Sequence, residues 1–129
     1  MVFITTKPND NLKIVRDKAP NVKVLITDET LHATYIEAAK ICDSDYFWVV
    51  TENQKIVDNF DFEYSIQFDM PERSRIWCCK TNLTDVGFEY SGVKLLPRNA
   101  TIHMNTASTD IIKSIAPLEP ILQLSNTLN

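Results

Sequence analysis

The sequence predicts an α/β fold in one domain, residues 1–129, with a three-layer, mostly parallel sheet in the N-terminal half and a β-rich C-terminal half. Three observations carry this expectation. Segments alternate strand, helix, strand, helix, strand through residues 1–50, the order of a parallel α/β unit with right-handed crossovers. The last of those strands, Tyr46-Phe47-Trp48-Val49-Val50, is a continuous run of aromatic and β-branched residues, as a strand buried on both faces requires. Beyond it the period shortens to two. Phe62, Tyr64, Ile66 and Phe68 alternate with polar residues, the pattern of a half-buried strand.

The elements follow in order. Val2 to Ile4 is a short apolar strand, and Lys7-Pro8-Asn9-Asp10-Asn11 is a loop. Asp10 or Asn11 supplies an N-cap for a helix to about Lys18, with Leu12, Ile14 and Val15 inward. Ala19-Pro20-Asn21 breaks that helix, because proline has no amide hydrogen to continue it. Val22 to Ile26 is the second strand. Thr30 is the N-cap of a second helix, in which Leu31, Tyr35, Ala38, Ala39 and Cys42 fall at helical spacing to about Ile41. Asp43-Ser44-Asp45 ends it, and the apolar strand follows. Farther on, Asp61 to Phe68, Arg75 to Lys80 and Gly92 to Leu96 read as strands. Thr81 to Ser91 reads as a polar loop, and Leu118 to Leu124 as a short final helix.

Composition bounds the function. A chain of 129 residues buries roughly two-thirds of its unfolded surface in one core. A net charge of -4 argues against a non-specific nucleic-acid binder, which normally carries a basic face. Cys42, Cys78 and Cys79 are odd in number and form no Cys-x-x-Cys pair, so reduced, buried thiols in a cytoplasmic protein are expected. Met1 to Thr6 lacks the basic and long apolar regions of a signal peptide, and no apolar run approaches the ~18 residues of a membrane span.

In an open α/β sheet, ligands bind outside the carboxyl ends of the strands. The central apolar strand ends there in Thr51-Glu52-Asn53. Glu52, with the Asn53 carbonyl, is the candidate metal site. Mg²⁺ or Mn²⁺ takes oxygen ligands, keeps several waters, and manages with one carboxylate plus substrate phosphates. The plainer use of Glu and Asn in this place is a solvated turn between strands. His32 begins the second helix, near the same edge, in place for a base-stacking or ribose contact; a polar helix-start histidine is the plainer alternative. Arg73 or Arg75, if placed near that edge, would suit a diphosphate held bidentately.

Taken in order, Pro8-Asn9, then His32 with Ile36, Ala38, Ala39 and Lys40, then Phe47-Trp48-Val49-Val50, Phe60-Asp61-Phe62, Ile76-Trp77, Asn82 and Gly92-Val93-Lys94-Leu95-Leu96-Pro97 span most of the chain. This series resembles a group of phage-encoded proteins with a glycosyltransferase-A-like domain. The resemblance implies that Thr5, Thr6 and Asn9, after the first strand, receive the nucleotide base of a nucleotide sugar. It implies an acidic triplet of Asp-x-Asp type holding Mn²⁺ or Mg²⁺ at the leaving diphosphate, where this chain has Thr51-Glu52-Asn53.

Two function classes follow. One is a phage-type glycosyltransferase-like domain binding a nucleotide sugar, weak or inactive as a transferase, with modified DNA or a protein as acceptor, in the cytoplasm of an infected host. The other is a non-enzymatic phage accessory or virion-associated protein, acting through a homo-oligomer or a host or phage protein partner. A third chemistry is weaker. His32-Ala33-Thr34 and His103-Met104-Asn105 are similar to the paired motifs of two-histidine phosphoesterases, but the second copy lacks the hydroxyl and the first sits in a helix pattern.

Overall fold

A computed structural model describes residues 2–5, 10–27, 30–51, 54–56, 60, 62, 73–81, 88–89, 92–104, 115 and 118–128. The elements are β1 (Val2–Thr5), α1 (Asp10–Lys18), β2 (Lys23–Ile26), α2 (Leu31–Ile41), β3 (Tyr46–Thr51), β4 (Gln54–Ile56), β5 (Ser74–Thr81), β6 (Phe88–Glu89), β7 (Lys94–Pro97), α3 (Arg98–Ile102) and β8 (Leu118–Leu128). The strands form one sheet in the order β2-β1-β3-β7-β5-β8-β4, with β6 on β5.

This sheet corrects the expected fold class. β1 runs parallel to β2 and β3, and β5 parallel to β8. The pairs β3–β7, β7–β5, β5–β6 and β8–β4 are antiparallel and outnumber them. The sheet is therefore mixed, and is not the mostly parallel, three-layer sheet of a glycosyltransferase-A-like reading. Pairing direction is not a local property. Side-chain period tells which residues share a face, whereas the return of β7 against β3 is made by chain some fifty positions later.

β3 divides the interior. Its pleat sends Phe47 and Val49 to one face, where they meet Tyr35, Ala38 and Ala39 of α2 and its C-cap Cys42, with Leu96 and Met104. Val50, Tyr46 and Trp48 go to the other face, against Leu12 and Val15 of α1 with Phe60, Val93 and Leu95. Trp48 makes edge-to-face contacts with Phe60 and Phe62, at centroid distances of 5.9 and 5.3 Å.

α2 is held at both ends. The Thr30 hydroxyl accepts from the Ala33 amide at 3.4 Å, satisfying one of the donors that a helix start leaves open. At the other end Arg98 Nε donates to the carbonyls of Ala39 (3.0 Å) and Cys42 (2.6 Å), and Lys23 Nζ donates to that of Ile41. Two cations from distant elements thus meet the negative end of the helix dipole. The Arg98 amide also donates to Asp45 at 2.8 Å, which ties α3 to the turn entering β3. Thr34 and Thr101 are buried, and each hydroxyl donates to the carbonyl four residues back.

Two later elements differ from their sequence reading. Residues 118–124 are not a helix: Leu118–Leu128 is a strand paired with β5 from Ser74 to Thr81. The spacing of Leu118, Ile121 and Leu122 resembles a helical stripe. The pairing is regular from Leu118 to Ile121 and shifts register after Trp77 and again after Cys78. Of the expected strand 61–68, Phe62 lies in a turn, and the other residues are outside the described ones.

Two measurements test these packing statements. Arg98→Met keeps the side chain's stem and removes both carbonyl contacts, so urea unfolding should show a loss of about 2–3 kcal/mol. A loss near zero would mean that water serves those carbonyls equally well. Burial pushes the Tyr35 phenol up to about 12. The unfolded chain ionises first, so this contribution is intact below about pH 10 and is lost as pH rises toward 12. Between pH 9 and 12 the wild type should lose on the order of 2 kcal/mol more than Tyr35→Phe. Equal losses would refute the burial of that hydroxyl.

Candidate functional site

Three parallel strands end at one edge. Thr5, the last residue of β1, is in register with Ile26, the last of β2, and Ile4 is in register with Thr51, the last of β3. β1 leads into α1, which starts at Asp10, and β2 leads into α2, capped by Thr30. Both helix N-termini therefore open on the edge where the strands end, and both carry the positive end of a helix dipole. Anions are favoured there.

Of the residues expected at this edge, Thr5 stands on it. Thr6, Asn9, Glu52 and Asn53 lie outside the described residues, so the structure gives no fit for a metal at Glu52 and Asn53. Among the described residues, no three His, Cys, Asp or Glu side chains group to hold a metal.

His32 is in the first turn of α2 and half-buried. Its Nε2 is shielded from solvent without a hydrogen-bond partner. With Ala33, Ile36, Glu37 and Lys40 it lines an open groove of about 380 Å³ along the helix. Among the described residues, all five that line it belong to α2. His103 closes α3, and its Nδ1 is 2.9 Å from the Asn99 carbonyl. His32 in a helix and His103 at a helix end do not reproduce the strand-borne pair of a two-histidine phosphoesterase.

Neither arginine stands at the carboxyl edge: Arg75 is in mid-sheet and Arg73 toward the amino edge. β5 is antiparallel to β7, and β7 to β3, so β5 points the same way as β3. Arg75 is in register with Leu95, which is in register with Trp48; Arg73 therefore sits at the amino edge. Arg75 is wholly buried, with its guanidinium 5.5 Å from the Tyr46 ring centre and its Nη1 donating to the Arg73 carbonyl at 3.2 Å. Cys42 is also no nucleophile here: burial pushes its thiol up, so little thiolate forms at neutral pH.

Lys94 was not singled out by the sequence reading. It opens β7, is only 8% exposed, and donates from Nζ to the Gly92 carbonyl at 3.2 Å. Its register partners are Val49 of β3 and Ile76 of β5. Because β7 runs against β3, Gly92 lies two residues farther toward the carboxyl end of β3. The signal available in sequence was a lysine inside the apolar run Val93-Lys94-Leu95-Leu96.

No helix among the described residues is long and apolar enough to cross a membrane. No protein-family model matches the chain, and no curated protein matches it in sequence. Among solved structures it is similar to HddC from Yersinia pseudotuberculosis, at 11% identity and a TM-score of 0.59, over 96% of this chain and 69% of that one. It is similar also to HddC from the same organism complexed with GMP-PN, at 11% identity and a TM-score of 0.55, over 95% and 69%. At that identity the likeness is one of fold.

Proposed function

We propose that the chain binds a nucleotide sugar at the edge formed by the carboxyl ends of β1, β2 and β3. The observation that carries this reading is the register that brings Thr5, Ile26 and Thr51 together where α1 and α2 begin. Such an edge offers polar backbone and two positive helix ends to a phosphorylated ligand. The complex of HddC with GMP-PN supports a nucleotide as the ligand class. The sequence resemblance to glycosyltransferase-like domains supports a sugar on that nucleotide. Thr51-Glu52-Asn53 brings one carboxylate, which with phosphate oxygens suits a weakly held Mg²⁺ or Mn²⁺ and favours binding over rapid transfer. Thr5, Thr6 and Asn9 are the residues for the base, and His32 for the ribose or base.

A second reading, a non-enzymatic protein acting through a homo-oligomer, is favoured by Ile26. This residue is 60% exposed on β2, which ends the strand order of the sheet.

Two experiments separate them. In thermal unfolding with millimolar GDP- or UDP-sugars and Mn²⁺, the melting temperature should rise by several degrees. A ligand at a hundred times its Kd stabilises by about 2.7 kcal/mol. No rise with any donor sinks the nucleotide reading. The oligomer reading expects a mass above one chain in light scattering, reduced to one chain by Ile26→Lys. A wild-type monomer at high concentration refutes it.

A further inference from the structure

We propose that two copies of this chain join their sheets through β2, antiparallel across a two-fold axis at Leu25, a geometry that rests on the oligomer reading above and deepens it. β2 ends the strand order, and among the described residues only β1 pairs with it. A strand in that place presents a row of amides and carbonyls to any further strand, and such rows are commonly guarded by a charge. Lys23 is the charged residue of β2, but its ammonium is turned onto the Ile41 carbonyl at the end of α2. The large apolar residues left exposed among the described ones are Ile26 and Ile41. One closes β2 and the other stands beside its first residue.

The side-chain pattern selects both the partner and the register. Leu25 packs against the α2 cluster, whereas Val22 and Val24 pack against the α1 cluster, so Ile26 shares the face of Val24. Residues opposite one another in an antiparallel pair point to the same face. A second β2 centred on Leu25 meets that condition. Ile26 then falls opposite Val24 of the other copy, twice, with Leu25 opposite Leu25 and Lys23 opposite Thr27. Centring on Val24 would also keep the faces, but it sets Lys23 against Leu25. Charge favours the antiparallel direction as well. Lys23 opens the strand and Asp28-Glu29 follow it in sequence, so antiparallel copies bring a basic start next to an acidic end. The two-fold axis closes the contact at two chains. Four residues of strand make a small interface, so the dimer dissociates on dilution.

The test combines light scattering over a range of concentrations with NMR on a mixture of isotope-labelled and unlabelled protein. The expected result is a mass that rises to two chains, with nuclear Overhauser contacts between the methyl groups of Val24 and Ile26 of different copies. Ile26→Lys should keep the unfolding midpoint and weaken the dimer by about tenfold or more, because both halves of the contact carry the change. Ile26→Glu should do the same, and adding Val24→Lys to it should restore the dimer, since each lysine then faces a glutamate. A folded double variant that stays monomeric overturns this register; should it not fold, the wild-type contacts decide alone. If wild type is oligomeric without those contacts, or its mass passes two chains, pairing through β2 is overturned and the oligomer reading stands. If wild type stays monomeric at high concentration, both fall.

Discussion

Burial of β3 between two apolar clusters is the constraint on which the other features depend. Six residues, Tyr46 to Thr51, pair with β1 on one side and β7 on the other, while their side chains alternate between the α2 face and the α1 face. A slip of one residue would exchange Phe47 and Val49 with Tyr46, Trp48 and Val50, and would break both clusters together. The register of β3 therefore sets that of β1 and β7. Through them it sets where Thr5, Thr51 and Lys94 stand.

Both early helices begin at that edge. α2 is anchored at its carboxyl end by Arg98 and Lys23, far from the candidate site, so that its capped amino end, with Thr30 and His32, can stand at the edge. Arg75, level with Trp48, has its guanidinium over the Tyr46 ring, whereas Lys94, one register step farther along β3, donates to the Gly92 carbonyl. Both buried cations are thus held by groups of the fold itself.

Much of the N-terminal half was legible because its signals are local. The Thr30 cap, the spacing of Tyr35, Ala38, Ala39 and Cys42, and the apolar run into Thr51 each depend on residues within one turn or one strand. The candidate edge was legible to the same degree, since connectivity alone places Thr5 and Thr51 at strand ends. Arg73 and Arg75 were not placeable from sequence, because which edge they occupy depends on two successive antiparallel pairings. Lys94, part of the Gly92–Pro97 motif, was given no role of its own for a related reason. An isolated lysine in an apolar run is silent until its neighbours across the sheet are known.

The sequence by itself determined the early elements, α1 and α2 with the Thr30 cap, and the two faces of β3, because capping and side-chain period act over a few residues. Only the tertiary structure decided the direction of pairing, the strand at Leu118–Leu128 and the strand neighbours of each buried cation. Those depend on which segments meet across long stretches of chain, where hydrogen-bond partners and burial are set by the partner strand. The run from Tyr46 to Thr51 announces a central strand in any reading; that it lies between a parallel and an antiparallel neighbour is settled by β1 and β7.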